Sequence, residues 1–448
     1  MKKQILVIGG GASGMMAAIQ AARHGGKVTI LEHMDRVGKK LLSTGNGRCN
    51  LTNRYQAEEC YRCGQKGFIS KVLEQFSMKD TLSFFEELGI IPKDRNGYIY
   101  PNSDQASSVL DVLRMELDHQ KVQVLLNCQI ESVRVSENFF VQTNMGPIEG
   151  DALILAAGSK AAKVTGSDGS GYALAQSLGH KIVTPLPALV QLRCRENHYK
   201  QLAGIRTEAC VSLMVQKPLD IFSQQTKGKR NSWEVLAEEK GELQLTDYGL
   251  SGIPVFQISR YASVSLHKGY HVKVRIDFLP QMTLQETEEL VDRRQRQMEY
   301  KTCEQWITGL FNKKLGLVLL KLAGIEAGRK VSQVPASQWK QLIKQIKRYE
   351  TEVVSVNSFE HAQICCGGVD TKEVHAETME SKKISGLYFA GEILDVDGIC
   401  GGYNLQWAWS SGAVAGRCAS VLPWQEKNRP KRDCEKIFRI NGGKHDSY

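Results

Sequence analysis

A short apolar run, Ile5-Leu6-Val7-Ile8, passes directly into Gly9-Gly10-Gly11-Ala12-Ser13-Gly14. Met15, Met16, Ala17, Ala18, Ile19, Ala21 and Ala22 then carry an apolar helix, which Gly25-Gly26 end. Val28-Thr29-Ile30-Leu31 follow as a second strand closing on Glu32. Strand, glycine-rich turn, helix, strand and acid in this order make the dinucleotide-binding βαβ unit. Gly9 permits the tight turn, Gly11 lets the backbone approach a pyrophosphate, and Gly14 lets helix and strand pack closely. The helix start, including Ala12 and Ser13, offers free N–H groups and the positive end of a dipole to phosphate. Glu32 is placed to accept ribose hydroxyls. A glycine-rich turn alone reads equally well as plain structure; the flanking elements make the assignment specific.

The 448 residues leave room for about three domains. Met1-Lys2-Lys3 leads into too few apolar residues for a signal peptide, and that run is already used as a strand. No stretch reaches the roughly 18–20 apolar residues of a membrane span. A cytoplasmic protein without membrane contact is therefore expected. The twelve cysteines lack the density of a disulfide framework, which fits a reducing compartment. Cys60-x-x-Cys63 has no second pair at zinc-binding spacing, so two ordinary thiols are expected and no metal centre. Cys365-Cys366 read as buried strand residues. The formal charge of +10 fits either a polyanionic partner or merely a basic surface.

Residues 36–53, Arg36-Val37-Gly38-Lys39-Lys40 through Thr44-Gly45-Asn46-Gly47-Arg48-Cys49-Asn50 to Asn53, show no amphipathic period and read as a loop against the cofactor. Gly45 and Gly47 would let the backbone lie on a flat ring or a phosphate. Helical apolar spacing covers 68–90 and 105–120. Residues 122–126 form a strand, and 129–135, 139–143 and 148–149 a small antiparallel meander. Asp151 to Ser159 returns as a buried strand whose small end residues belong beside the cofactor. A helix follows over 172–178, with Asp168 or Ser170 as its cap. After Pro185-Leu186-Pro187, residues 189–278 alternate strand-like runs. Residues 283–348 are helical: Thr283 caps a charged helix, 306–322 is apolar at helical spacing, and 335–349 is basic and amphipathic. Near the C-terminus a strand ends in Gly391-Glu392. A glycine-dense loop from Asp395 to Gln406 then enters a helix over 407–421. The expected fold class is thus α/β. A Rossmann-type dinucleotide-binding domain built from both ends of the chain (1–188 and 363–424) carries an inserted β-rich domain (189–279 and 349–362). A helical insert (280–348) and a basic, loosely ordered tail (425–448) complete it.

Three stretches together resemble one family. They are Gly9–Gly14, the Thr44-Gly45-Asn46-Gly47-Arg48-Cys49-Asn50 loop, and Gly391-Glu392 with Asp397-Gly398-Ile399-Cys400-Gly401-Gly402-Tyr403-Asn404. The chain resembles the BaiN-like, or YhiN-like, flavoproteins, which include aminoacetone oxidase. The likeness runs over nearly the whole length, including Leu186-Pro187-Ala188-Leu189-Val190 and Tyr248-Gly249-Leu250-Ser251-Gly252. It implies a glutathione-reductase-like FAD-binding domain carrying a β-barrel-like domain and a helical insert, with bound FAD reduced by transient NADPH or NADH. The expected cofactor contacts begin with Gly9, Gly11, Ala12, Ser13, Gly14 and Glu32. Lys39, Lys40, Gly45, Asn46, Gly47, Arg48 and Asn50 follow in the loop, then Val133, Ala157 and Gly158. Gly391, Glu392, Asp397, Gly402, Asn404 and Leu405 complete them, with Asn404 and Leu405 offering backbone N–H groups to reduced flavin.

Members of the family act in ribosomal RNA dihydrouridine synthesis, in bile-acid enone reduction or in aminoacetone oxidation. The first two share one reaction: hydride passes from flavin N5 to a C=C conjugated with a carbonyl, and an acid protonates the other carbon. Cys49 is the leading candidate acid, with Arg48 beside it to steady a thiolate; packing is its alternative. Cys400 and Tyr403 are the other candidates. Basic stretches at 227–230, 293–296, 313–314, 340–348 and 427–432 suit phosphate contacts, though each alone also reads as a solvated face. Uridine in large-subunit rRNA is the leading expected substrate. A small-molecule enone, an amine oxidised by oxygen, and a non-catalytic flavin carrier are the alternatives. No second fingerprint appears, so the nicotinamide is expected over the same flavin face. Nothing in the sequence speaks to oligomeric state.

Overall fold

The computed structural model describes residues 2–217, 232–421 and 436–439. The chain divides into two compact units, Met1–Pro185 with Ile364–Tyr448, and Leu186–Gln363. The expected basic stretches at 227–230 and 427–432 lie outside the described residues.

The first unit holds a five-stranded parallel sheet. Across it run Leu387–Phe389, Ala152–Leu155, Gln4–Ile8, Lys27–Leu31 and Gln123–Leu125. Ile5 to Ile8 and Ala152 to Leu155 are buried on both faces, as strands covered on two sides must be. The Rossmann-type α/β class holds. Ile130–Val135, Phe139–Thr143 and Gly146–Gly150 form the antiparallel meander. The expected loose tail is corrected in one place: Lys436–Arg439 pairs as a fourth strand along Ile130–Val135.

Two helix bounds change for local reasons. The apolar stretch 68–90 breaks into Phe68–Gln75 and Met78–Glu87, because Ser77 and Asp80 form a capping box that starts a new helix. The final helix starts earlier than expected, at Tyr403, and runs to Ser420. It crosses the first helix, Ala12–Arg23, at very close range. A Cβ on Gly412 would lie 2.5 Å from the Ser13 carbonyl oxygen, and one on Gly416 would lie 2.1 Å from that of Ala17. These glycines, one helical turn apart, join the two ends of the chain.

The second unit contains a closed six-stranded barrel. Its order is Leu192–Cys194, Gly249–Ser251, Glu234–Leu245, Ile205–Gln216, His271–Asp277 and Tyr349–Val356. The reading of 189–278 as strands misses the helix Ile253–His267, which starts on Pro254 and buries Val255, Ile258 and Ala262. The helices Leu284–Gln297, Cys303–Ile307, Lys313–Leu322 and Ala336–Lys347 form the rest. The stretch 306–322 is two helices, since Gly309 turns at φ +80° and the Asn312 side chain caps the second. The Trp306 and Trp339 rings meet at 4.7 Å, and buried Lys347 donates to Asp277 Oδ2 at 2.6 Å.

Candidate active site

The glycines of the first turn answer to three different constraints. Gly9 turns at φ +103°, and a Cβ there would lie 2.5 Å from the Ala156 carbonyl oxygen. A Cβ on Gly14 would lie 1.9 Å from the Gly9 oxygen. Gly11 is different. Its φ of −77° suits any residue, and a Cβ there would meet nothing within 4 Å. The chain's own packing does not require glycine at 11; space for a ligand does. The first helix has no side-chain cap, and Ser13 Oγ donates to the Ala390 oxygen at 3.3 Å instead. Its first N–H groups thus stay available for a pyrophosphate. Glu32 is buried at the end of its strand. Oε2 accepts from the Gly10 N–H at 2.7 Å and Oε1 from the Met34 N–H at 2.8 Å, with His33 Nδ1 at 3.3 Å. The residues present therefore fit a dinucleotide.

The loop over 41–50 is not featureless. Leu41–Gly47 makes tight helical turns broken at Thr44 to Asn46. Gly45, Asn46, Gly47 and Cys49 take φ of +56°, +55°, +82° and +59°. Gly45 to Arg48 are exposed, while Cys49 and Asn50 are buried. Lys40 Nζ pairs with Glu392 Oε2 at 2.6 Å, and Ser159 Oγ donates to the same oxygen at 3.0 Å. Lys39 pairs with Asp35 at 2.5 Å instead of joining that cluster. Ala157 and Gly158 remain partly exposed at the strand end, and Gly158 turns at φ +73°. Gly391 is held from both terminal helices: its N–H donates to Ser411 Oγ at 2.9 Å, its oxygen accepts from Trp407 Nε1 at 3.1 Å, and a Cβ would strike Ser13 Oγ.

Three expected site residues lie in the interior. Cys49 is 0% exposed, so its thiol faces no substrate surface. Burial pushes that thiol up to about 12, partly offset by a hydrogen bond with Thr44, and Arg48 points to solvent. Burial therefore works against the steadied thiolate expected there; what sets Cys49 apart from a donor role is its lack of exposed surface. Tyr403 is buried, its ring lies edge-on to Tyr61 at 5.7 Å, and its hydroxyl is bonded to Cys60. Burial and that bond push its pKa up, and its hydroxyl is already engaged by Cys60. Val133 is fully buried in the meander, between Val141 and Phe438 in register, which removes it as a cofactor contact. Cys400 keeps partial exposure, at the tip of the loop from Gly398 to Asn404.

That loop enters the final helix through Gly401 and Gly402, at φ +123° and +94°. The helix carries no side-chain cap. Leu405 is partly exposed and Asp397 buried beneath the loop. Asn404 bonds back to Gly398 through both amide atoms, accepting at 2.8 Å and donating at 2.9 Å. Asn50, with its amide oriented to satisfy its neighbours, accepts from the Gly402 N–H at 3.3 Å and donates to the Ile99 and Thr52 oxygens. Both asparagines are thus engaged by the protein through their side chains. Sequence reading missed Asn53 and Gln406. Asn53 Nδ2 donates to the Gly401 oxygen at 3.1 Å. Fully buried Gln406 accepts from Thr52 Oγ1 at 2.6 Å and donates to Thr81 and Ser410 hydroxyls. Only proximity in space marks these two. Among the described residues, no group of three or more His, Cys, Asp or Glu could hold a metal, and no helix is long and apolar enough to cross a membrane.

Comparison with known proteins follows the site along the whole chain. Residues 3–418 match the family described as HI0933-like protein Rossmann domain. The 3-dehydro-bile acid delta(4,6)-reductase of Clostridium scindens is 45% identical over 423 residues, covering 94% of this chain and all of that one. The ribosomal RNA dihydrouridine synthase of Haemophilus influenzae is 28% identical, covering 91% of this chain and 96% of its own. That of Escherichia coli is 27% identical, covering 93% and 97%. The chain belongs to the HI0933-like Rossmann-domain family and is an oxidoreductase.

Proposed function

We propose that this protein binds FAD in its first unit, takes electrons from NADPH or NADH, and reduces a C=C bond conjugated with a carbonyl in a small steroid-type enone. The observation that carries the substrate class is the end-to-end 45% identity to a bile-acid reductase, against 28% and 27% for the RNA-modifying relatives. This reverses the order of substrates expected from sequence. The helix start at Ala12 and the open space at Gly11 would hold the pyrophosphate, and Glu32 the adenosine ribose. Lys40, Glu392 and Gly391 would hold the ribityl side, and the N–H groups of Tyr403 to Leu405 the electron-rich edge. Bound FAD supplies the hydride.

The protein's own task is then to deliver a proton to the second carbon. Of the three expected donors, Cys400 has the accessible surface that this step needs. None of the eleven described cysteines is in a disulfide, in keeping with action in the reducing cytoplasm. The test is anaerobic. Flavin is reduced with NADPH or NADH, then mixed with a 3-oxo-4,6-diene steroid acid. Rapid reoxidation in the wild type, with Cys400→Ala reduced normally but reoxidised slowly, is the expected result. No reoxidation by any conjugated enone would overturn the substrate class. Normal reoxidation of Cys400→Ala would overturn the donor.

One observation favours the RNA reading. Residues 280–348 carry thirteen Lys and Arg against seven Asp and Glu. Phosphate contacts from such a segment would make RNA affinity fall steeply with salt. Reoxidation by a large-subunit rRNA transcript, but not by steroid enones, would put that reading first.

A further inference from the structure

The loop that joins the strand residue Gly398 to the helix start at Tyr403 is fastened at several backbone polar groups. Gly398 is bonded at both N–H and carbonyl by Asn404. The Ile399 N–H donates to the Cys60 oxygen at 2.9 Å. The Gly401 carbonyl accepts from Asn53, and the Gly402 N–H donates to Asn50. A Cβ on Gly402 would lie 2.7 Å from the Thr52 carbonyl, so the loop is also pressed against the strand that carries Asn53. Asn53 is 6% exposed, and its other amide atom accepts from the Tyr55 N–H at 3.0 Å. The bond to Gly401 ties the loop to a separate three-stranded antiparallel sheet, in which Asn53 pairs with Tyr98.

We propose that Asn53 is a positioning residue: its bond to the Gly401 carbonyl fixes the Cys400 loop and the start of the final helix in one working geometry. Both polar atoms of the Asn53 amide are engaged by backbone, at Gly401 and Tyr55. Its effect reaches the chemistry through Gly401, the residue between Cys400 and Gly402. A donor is required at this position. Aspartate would keep the bond from Tyr55 but set a carboxylate oxygen against the Gly401 carbonyl, and alanine would leave that carbonyl unpartnered.

The expected effect on proton delivery rests on the reading given under Proposed function; the clamp itself does not. FAD-loaded N53A and N53D are compared with the wild type. Amide hydrogen exchange over 398–404 should accelerate about tenfold in both, with residues 4–23 unchanged. Kcat for the steroid enone should fall about tenfold while KM and the rate of flavin reduction stay within about twofold. The flavin midpoint potential should fall, since the N–H groups from Tyr403 to Leu405 are no longer held in place; a tenfold effect on a two-electron couple is about 30 mV. Unchanged exchange over 398–404 overturns the clamp. Faster exchange with unaltered kcat and potential overturns the positioning role. If the wild type turns over no enone, the substrate reading fails, and exchange with midpoint potential still decides the role of Asn53. Should N53A not fold, N53D, which keeps the Tyr55 bond, gives the same measurements.

Discussion

The first and last helices both begin at a glycine turn, without a side-chain cap, yet the two turns are held by different means. At the first, main chain presses on main chain: Gly9 against Ala156, Gly14 against Gly9. At the last, Gly402 also presses on the Thr52 carbonyl, but side-chain amides add most of the fastening: Asn50 on Gly402, Asn53 on Gly401, Asn404 on Gly398. The first turn takes most of its shape from some thirty consecutive residues, with Ala156 at the end of a neighbouring strand pressed on Gly9. The last is assembled from segments about 350 positions apart in sequence. The first should therefore fail by steric clash and the last by loss of hydrogen bonds, and the two failures differ in size and in what they spare.

The largest expected effect is Gly14→Ala. Its Cβ would meet backbone that cannot swing aside, so the turn itself must move. A loss of about 3 kcal/mol in urea unfolding is expected, with little flavin retained. Gly11→Ala sharpens the comparison. With open space and an ordinary φ, stability without cofactor should stay within about 0.5 kcal/mol of wild type, while FAD affinity falls by about 10- to 100-fold. If Gly11→Ala instead unfolds the protein with its FAD affinity intact, the space at Gly11 is not a ligand's.

At the other turn, Gln406→Leu removes one side chain from four buried hydrogen-bonding residues. The hydroxyls of Thr52, Thr81 and Ser410 lose their shared partner. A cost of roughly 2 kcal/mol is expected, smaller than the clash at Gly14. A melting curve unchanged from wild type would show that these hydroxyls find other partners.

The same contrast explains what could be read in the sequence. The βαβ unit was legible because its strand, glycine turn, helix and acid follow one another in some thirty residues, even though Ala156 and Ala390 complete its packing. The breaks at Ser77 and Asn312 were equally local, but apolar periodicity ran across them and hid the caps. The helix Ile253–His267 was missed for a related reason: it is buried around much of its circumference, so alternation and helical period are hard to tell apart there. The roles of Asn50, Asn53 and Gln406 were out of reach, since their partners come from the other end of the chain. Cys49 was misjudged because its neighbours in sequence, Gly47 and Arg48, are exposed, while its own left-handed backbone, at φ +59°, accompanies a side chain turned inward.

Cys49 also supplies the smallest expected effect, and its sign follows from linkage. Its thiol ionises near 9 when the chain is unfolded and is pushed up to about 12 when folded, because burial opposes the thiolate. The folded state holds the proton more tightly, so this contribution is complete below pH 9 and is lost as pH rises toward 12. At pH 10 the loss amounts to about 1.4 kcal/mol. Cys194, in the other unit, is pushed up to about 12 by the same cause and adds its own slope, so the wild type alone cannot separate the two. The difference between wild type and Cys49→Ala can. Alanine lowers stability at every pH, but the fall in urea stability between pH 8 and pH 10 should be shallower by about that amount. If both proteins lose stability in parallel, the thiol is not held neutral by burial. The exclusion of Cys49 as a reactive group would then lose its electrostatic support and rest on inaccessibility alone.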